Sequence, residues 1–150
     1  MKVVGGSPEV DDRRVELFNT HRRERGLDRR NEIVEADGYS QFLIQSCCAV
    51  LEISQWLEDQ LIAVSIVDVG ANSASAVYTY FDPQYSHLSP GTVAILKGIE
   101  FCQRKKLKWF YLGMYVADNS HLSYKDRFLP QERLMDGTWL PFDRNSKKQG

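Results

Sequence analysis

No apolar run in the chain reaches the ~18 residues that a membrane-spanning helix requires. The opening Met1-Lys2-Val3-Val4-Gly5-Gly6 holds no long apolar segment either, so neither a secretory signal nor an anchor is expected and a cytoplasmic location follows. Cysteine is scarce: Cys47, Cys48 and Cys102 are odd in number and lack the spacing of a metal clamp or a thioredoxin-like pair, which leaves burial as their role. His21 and His121 have no spaced ligand partners, so no metal is expected. A basic excess is missing as well. The net charge of −1 argues against wholesale nucleic-acid binding, yet it hides local clusters at His21-Arg22-Arg23-Glu24-Arg25, Arg104-Lys105-Lys106 and Lys147-Lys148, each of which also reads as an ordinary solvated face. No glycine-flanked nucleophile elbow surrounds Ser86-His87-Leu88-Ser89, which excludes a serine-hydrolase reading.

What is present is ordinary globular composition, 43% hydrophobic and 26% charged over 150 residues, enough for one domain across 1–150. The stretch from Ala76 to Val116 organises it. Ala76-Val77-Tyr78-Thr79-Tyr80-Phe81 is β-branched and aromatic and ends at Asp82-Pro83, where proline stops strand pairing. A polar, turn-rich loop runs from Gln84 to Thr92, and its Ser89-Pro90 predicts a helix start. Val93, Leu96, Ile99 and Phe101, with Ala94 and Ile95, predict the buried face of that helix, and Lys97, Glu100, Gln103 and Arg104 the wet one. Lys108 to Val116 reads as a second strand. Strand, helical crossover and strand imply a parallel unit that sets the loop and the helix's free amides at the carboxyl end of the first strand. Tyr85 to Thr92 is then a phosphate-sized site or a plain loop.

Elsewhere, Ser7-Pro8, early acids and a basic end predict a helix from Pro8 to Arg25, with Val10, Val15, Leu17 and Phe18 as a thin apolar stripe. Leu27 to Glu35 reads as charged loop, and Tyr39, Phe42, Leu43 and Ile44 as one side of a short helix. Ala49–Leu57 and Leu61–Val69 read as strands, joined to each other and to the central strand by short hairpin connections. Asp118-Asn119-Ser120 is expected to cap a helical turn, Trp139-Leu140-Pro141-Phe142 to form a last short strand, and 143–150 to be a mobile tail.

An antiparallel meander continuing into a parallel strand-helix-strand crossover is similar to the GNAT acetyltransferase fold, an α/β class. The motifs are more specific. Gln60 to Asp68, Tyr80-Phe81-Asp82-Pro83, Tyr85-Ser86-x-Leu88-Ser89-x-Gly91-Thr92, Trp109-Phe110-Tyr111-Leu112-Gly113-x-Tyr115-Val116, Tyr124-Lys125-x-x-Phe128-x-Pro130 and Asp136-Gly137-x-Trp139-Leu140-Pro141-Phe142 together resemble the carboxyl-terminal half of the arginyl- and leucyl-tRNA–protein transferases. The resemblance runs from about Val15 to Phe142. It implies a transferase that moves an amino acid from charged tRNA to the α-amine of a protein with an acidic first residue, marking it for degradation; an acyltransferase of the same fold with another activated donor, or a non-catalytic module binding acidic N-termini or tRNA, are the alternatives. The family's cysteine-rich amino-terminal domain has no counterpart in these residues, and Cys47-Cys48 differ from it in place and spacing. The single Gly91 makes a poor pyrophosphate loop, so coenzyme A is not expected as donor. The activated co-substrate is aminoacyl-tRNA itself, with no other cofactor.

On that resemblance the donor's 3′ end falls to Tyr85, Ser86, Leu88, Ser89, Gly91 and Thr92. The acceptor falls to Tyr111, Gly113, Tyr115 and Tyr124, with Lys125 or Arg127 facing its acidic side chain. An aminoacyl ester is already activated, so the site must hold ester and amine together, accept one proton and steady an oxyanion. Asp68 and Asp82 are the candidate carboxylates for the proton and Tyr80 a partner to the ester and amine. Turn capping remains the alternative for each aspartate, and core packing for each tyrosine. Arg22, Arg23, Lys105 and Lys106 are the candidates for an acceptor stem running over the surface.

Overall fold

The computed structural model describes residues 1–27, 32–116 and 123–143, in two compact units, 1–113 and 114–150. In the first unit a five-stranded sheet has the order β1-β2-β3-β4-β5. Its strands are β1 (Lys2–Gly6), β2 (Ala49–Leu57), β3 (Gln60–Val69), β4 (Ser73–Phe81) and β5 (Trp109–Tyr111). The first four pair antiparallel, whereas β4 and β5 are parallel. The meander and the crossover both stand as expected.

The helices are α1 (Asp12–Glu24), α2 (Ala36–Leu43) and α3 (Pro90–Lys105). Side chains alternate across a strand, so β3 feeds two cores. Val64 and Ile66 join Tyr80 in packing against Leu17 and Phe18 of α1 and Tyr39 and Leu43 of α2. Val67 joins Ile53 and Ala74 against Cys102 of α3. Among the described residues no helix is long and apolar enough to cross a membrane.

Several local expectations give way. The first helix starts at Asp12, not Pro8, because Asp11 is the N-cap and its carboxylate accepts from Arg14 N–H at 2.9 Å. Arg14 then turns into the interior to meet Glu52 of β2 through Nε and Nη2, with Oε1 2.6 Å from Nη2. Both side chains are buried. The edge strand β1 carried no clear pattern of its own, and its pairing partner lies more than forty residues away on β2.

Helix α3 does begin at Pro90, but Ser89 supplies no side-chain cap; it sits in the left-handed region at φ 53°. Its buried stripe is Ala94, Ile95, Gly98 and Cys102, and the expected core residue Leu96 is exposed. Small residues face the sheet because Phe110 of β5 fills that space: a Cβ on Gly98 would stand 2.3 Å from the ring's Cζ. The second crossover strand is only three residues long rather than running from Lys108 to Val116, and the chain then passes through Gly113 at φ 76°.

Within the second unit, β6 (Glu132–Met135) and β7 (Thr138–Pro141) form a hairpin over Asp136-Gly137, both at positive φ. The final strand was expected, its partner β6 was not. Arg133 is clamped between the rings of Tyr115 and Phe142, its guanidinium carbon 3.7 and 3.4 Å from their centroids. The expected cap at Asp118-Asn119-Ser120, residues 28–31 of the expected charged loop, and the tail from 144 lie outside the described residues.

Candidate functional site at the carboxyl end of β4

Strand β4 pairs with β5 only through Ser73 to Ser75, and then runs on to Phe81. The crossover strands therefore part, and among the described residues no strand covers the outer edge of β4 from Ala76 onward. A bulge sets Ile66 against Tyr78 and Val67 against Ala76, so Val77 is the extra residue in β4. Because Asp82 N–H donates to Ile62 O, alternation turns the N–H and C=O of Phe81 away from β3. There the buried His21 meets them: its Nδ1 lies 3.0 Å from Phe81 O and 3.2 Å from Phe81 N, and it donates to the carbonyl or accepts from the amide according to the tautomer. This anchor ties α1 to the end of β4.

Beyond Phe81 the expected loop is a 3₁₀ helix, Pro83–Leu88. Asp82 caps it through Oδ1, which accepts from Gln84 N–H at 3.0 Å. Tyr85 Oη donates to Gln60 Oε1 at 2.9 Å. Ser86, Leu88 and Ser89 lead directly into α3, whose first turn presents the N–H groups of Gly91 and Thr92; the next, Val93 N–H, is taken by Ser89 O. Gln55, fully buried on β2, braces this junction by donating from Nε2 to Pro90 O at 2.8 Å, while its buried Oε1 has no hydrogen-bond partner among the described residues. The donor set of the sequence reading is therefore contiguous in space.

Asp82 and Tyr85 also line an open cavity of about 750 Å³, together with Arg13, Glu16, Leu17 and Thr20 of α1 and Leu57 to Leu61 of the β2–β3 turn. Glu16, Glu58, Asp59 and Asp82 against the single Arg13 give it a negative lining. Such a wall suits a positively charged group and repels phosphate.

The remaining predicted residues are placed differently. Asp68 pairs with Ser75 at the far end of the β3–β4 hairpin, seven residues of extended chain from Asp82 and so about 23 Å away. The structure does not bring the two carboxylates together. Tyr80 is fully buried and its hydroxyl lies 2.5 Å from that of Tyr39, which makes it a core residue and corrects its expected contact with ester and amine. Burial pushes the Tyr39 phenol up to about 12 and that of Tyr80 well above its ordinary value.

Tyr111 and Gly113 are exposed at the end of β5, whereas Tyr115, Tyr124, Lys125 and Arg127 belong to the second unit. There Lys125 Nζ donates to Met114 O, and burial lowers its pKa. Arg127 is exposed. Arg22 and Arg23 ride on α1, whereas Lys105 and Lys106 end α3, the helix on the opposite face of the sheet. Sequence reasoning passed over Gln55, read His21 only as part of a basic cluster, and placed Tyr39 on the apolar side of α2 without its partner Tyr80. The one signal in the sequence was a polar residue inside an apolar strand, as at Gln55.

A sheet of this order, with crossover strands that part and a helix starting at their mouth, is the GNAT acetyltransferase fold. Solved structures agree. The chain superposes on an aminoglycoside acetyltransferase from an uncultured soil metagenomic sample with TM-score 0.66 at 12% identity, covering 95% of this chain and 96% of that one. It also superposes on the PaiA N-acetyltransferase of Thermoplasma acidophilum with TM-score 0.56 at 15% identity, covering 94% and 97%. Sequence goes further than fold. Residues 13–135 match the family described as arginine-tRNA-protein transferase, C terminus. Curated relatives named aspartate/glutamate leucyltransferase include that of Acinetobacter baylyi, 35% identical over 129 residues, and that of Methylobacillus flagellatus, 38% over 119. These alignments cover 86% and 79% of this chain but 48% and 47% of the relatives, so the chain spans about half their length. The chain belongs to the arginine-tRNA–protein transferase family.

Proposed function

We propose that this chain carries the transfer site of an aminoacyl-tRNA–protein transferase, which moves leucine or arginine from its tRNA to the α-amine of a protein beginning with aspartate or glutamate. The observation that supports it most directly is the contiguous run from Asp82 to Thr92 at the mouth between β4 and β5, in a chain of this family. In this reading Tyr85, Ser86, Leu88 and Ser89 receive the 3′ end of the donor, and the amides of Gly91 and Thr92 steady the anionic oxygen that forms as the ester is attacked. An α-amine titrates near ~8. Asp82, whose Oδ1 is engaged with Gln84, takes the amine's proton at Oδ2, directly or through water, as the C–N bond forms, and the proton passes to the ribose oxygen of the tRNA as the ester C–O bond breaks. The negative cavity beside it draws in the ammonium form before that proton is lost. Tyr111 and Gly113, and in the second unit Tyr115, Tyr124, Lys125 and Arg127, are the acceptor-side candidates. The cytoplasm, where charged tRNA is made, is the proposed location.

The test supplies labelled leucyl- and arginyl-tRNA with peptides starting in Asp, Glu or Ala. Transfer to the acidic peptides supports the reading, and transfer to none removes it. A rise in melting temperature with coenzyme A thioesters, absent with charged tRNA, would assign the fold to another donor.

A further inference from the structure

The stretch from Pro90 to Tyr111, which forms α3 and β5, carries five basic side chains, Lys97, Arg104, Lys105, Lys106 and Lys108, against the single acid Glu100. That acid is engaged within the helix, accepting from Lys97 Nζ at 2.7 Å and from Arg104 Nη1 at 2.9 Å. Lys105, Lys106 and Lys108 are exposed, and the ammonium groups of Lys105 and Lys106 have no partner among the described residues. Lys106 turns the chain at φ 56°, and Lys108 N–H donates to Asn72 O at 2.7 Å, so the three stand together where α3 runs out beside the start of β4. Lys108 Nζ rests over the Trp109 ring at 5.1 Å. Basic residues in the last turn of a helix offset its dipole, a role that Arg104 and Lys105 fill. Lys106 and Lys108 lie past the helix.

We infer that Lys105, Lys106 and Lys108 hold phosphates of the donor tRNA's acceptor stem, with α3 as the spacer between that duplex and the transfer site. The inference rests on the transfer reading for the identity of the RNA. Helix α3 is about 24 Å long, with Pro90 at the mouth between β4 and β5 and Lys105 at the far end. The unpaired 3′ end of a tRNA is about four nucleotides, which at ~3.4 Å each when stacked, and more when drawn out, puts the first base pairs about 14 Å or more from the ester. An ester lodged at Gly91 and Thr92 thus leaves the duplex over the distal half of α3, within reach of the three lysines. Lysine meets phosphate as a point charge and reads no base, so such contacts position the stem without selecting its sequence. The opposite face of the sheet repels RNA: there Glu16, Glu58, Asp59 and Asp82 line the cavity that the transfer reading gives to the acceptor's amine. The basic cluster on α1 is already engaged, Arg22 over the Phe18 ring and bonded to Glu32 O, Arg23 beside Glu24 at 3.8 Å. Donor and acceptor then reach the end of β4 from opposite faces of the sheet.

The experiment measures binding of an uncharged RNA minihelix, an acceptor-stem duplex with its 3′ overhang, to the full 150-residue chain by fluorescence anisotropy from low to physiological salt. Each duplex phosphate neutralised adds about 0.9 to the log–log salt slope. Lys105→Gln/Lys106→Gln/Lys108→Gln should flatten that slope by about 2 to 3 and weaken binding at low salt by about tenfold or more, with the thermal midpoint unchanged. The single-stranded 3′ tail alone should bind wild type and variant alike, and Arg22→Gln/Arg23→Gln should leave the minihelix slope where it was. If the triple variant does not fold, Lys105→Gln/Lys108→Gln decides, with a slope change of about 2. The inference is overturned if the variant keeps the wild-type slope, if it loses the tail as much as the minihelix, or if the α1 variant flattens the slope instead. A wild type that fails to bind the minihelix, or binds it without salt dependence, overturns it as well. A flattened slope in a chain that transfers nothing to any acidic peptide would instead count against the proposed function and leave this surface standing.

Discussion

The hydroxyls of Tyr39 and Tyr80 share a 2.5 Å hydrogen bond inside the core, joining α2 to β4 where neither side chain reaches solvent. Removing one hydroxyl leaves the other buried without its partner. Tyr80→Phe or Tyr39→Phe should therefore cost about 1–3 kcal/mol, and the double variant less than the sum of the two. Urea unfolding of the three variants checks this. Full additivity would show that the bond contributes nothing.

The same pair sets a pH response. Both phenols titrate higher in the folded chain than the ordinary ~10 of the unfolded one, so the folded state holds protons that the unfolded state releases. Their contribution is complete below pH ~10 and declines as pH rises through about 12, where Tyr39 titrates. The wild type should lose stability over that window, and the double phenylalanine variant less steeply.

Gly98→Ala should destabilise although alanine is the better helix former. The added Cβ would stand 2.3 and 2.6 Å from Cζ and Cε1 of Phe110, and moving that ring displaces β5. Overpacking of this kind costs about 1–3 kcal/mol, against about 1 kcal/mol gained in helix propensity. Phe110→Leu in the same chain should recover part of the loss in thermal unfolding.

Glu52→Gln leaves Arg14 charged and buried with weaker partners. Its guanidinium is held above its ordinary pKa chiefly by the bond to Glu52, so it stays ionised at every working pH. Breaking a buried pair from one side costs about 3–5 kcal/mol, whereas Arg14→Met/Glu52→Leu should cost less than either single change. Chemical denaturation separates the cases.

Asp82→Asn distinguishes a structural from a chemical aspartate. Asparagine caps as well as aspartate, so the 3₁₀ turn and the melting temperature should hold. If Asp82 accepts the amine's proton, transfer should fall by about 10²-fold or more with tRNA affinity unchanged. Unchanged transfer would return Asp82 to capping alone.

The sequence by itself determined β2, β3, β4 from Ala76 to Phe81 and the start of α3 at Pro90. Each of these rests on neighbours in the chain: alternation, short turns, a proline that ends a strand and another that opens a helix. It also carried the family, because many small motifs in fixed order survive without any knowledge of contacts.

Tertiary structure decided the rest. Asp11 rather than Ser7 caps α1 because Arg14 is drawn to Glu52 on a strand 38 residues away. Tyr78 and Tyr80 share a face of β4, yet α1 and α2 bury one and leave the other partly open. Asp68 and Asp82 look equivalent as strand-end acids, but the β3–β4 register puts them at opposite ends of the hairpin. Local pattern fixes which residues share a strand face or a turn; only packing between distant segments decides which of those faces meets another element and which meets solvent.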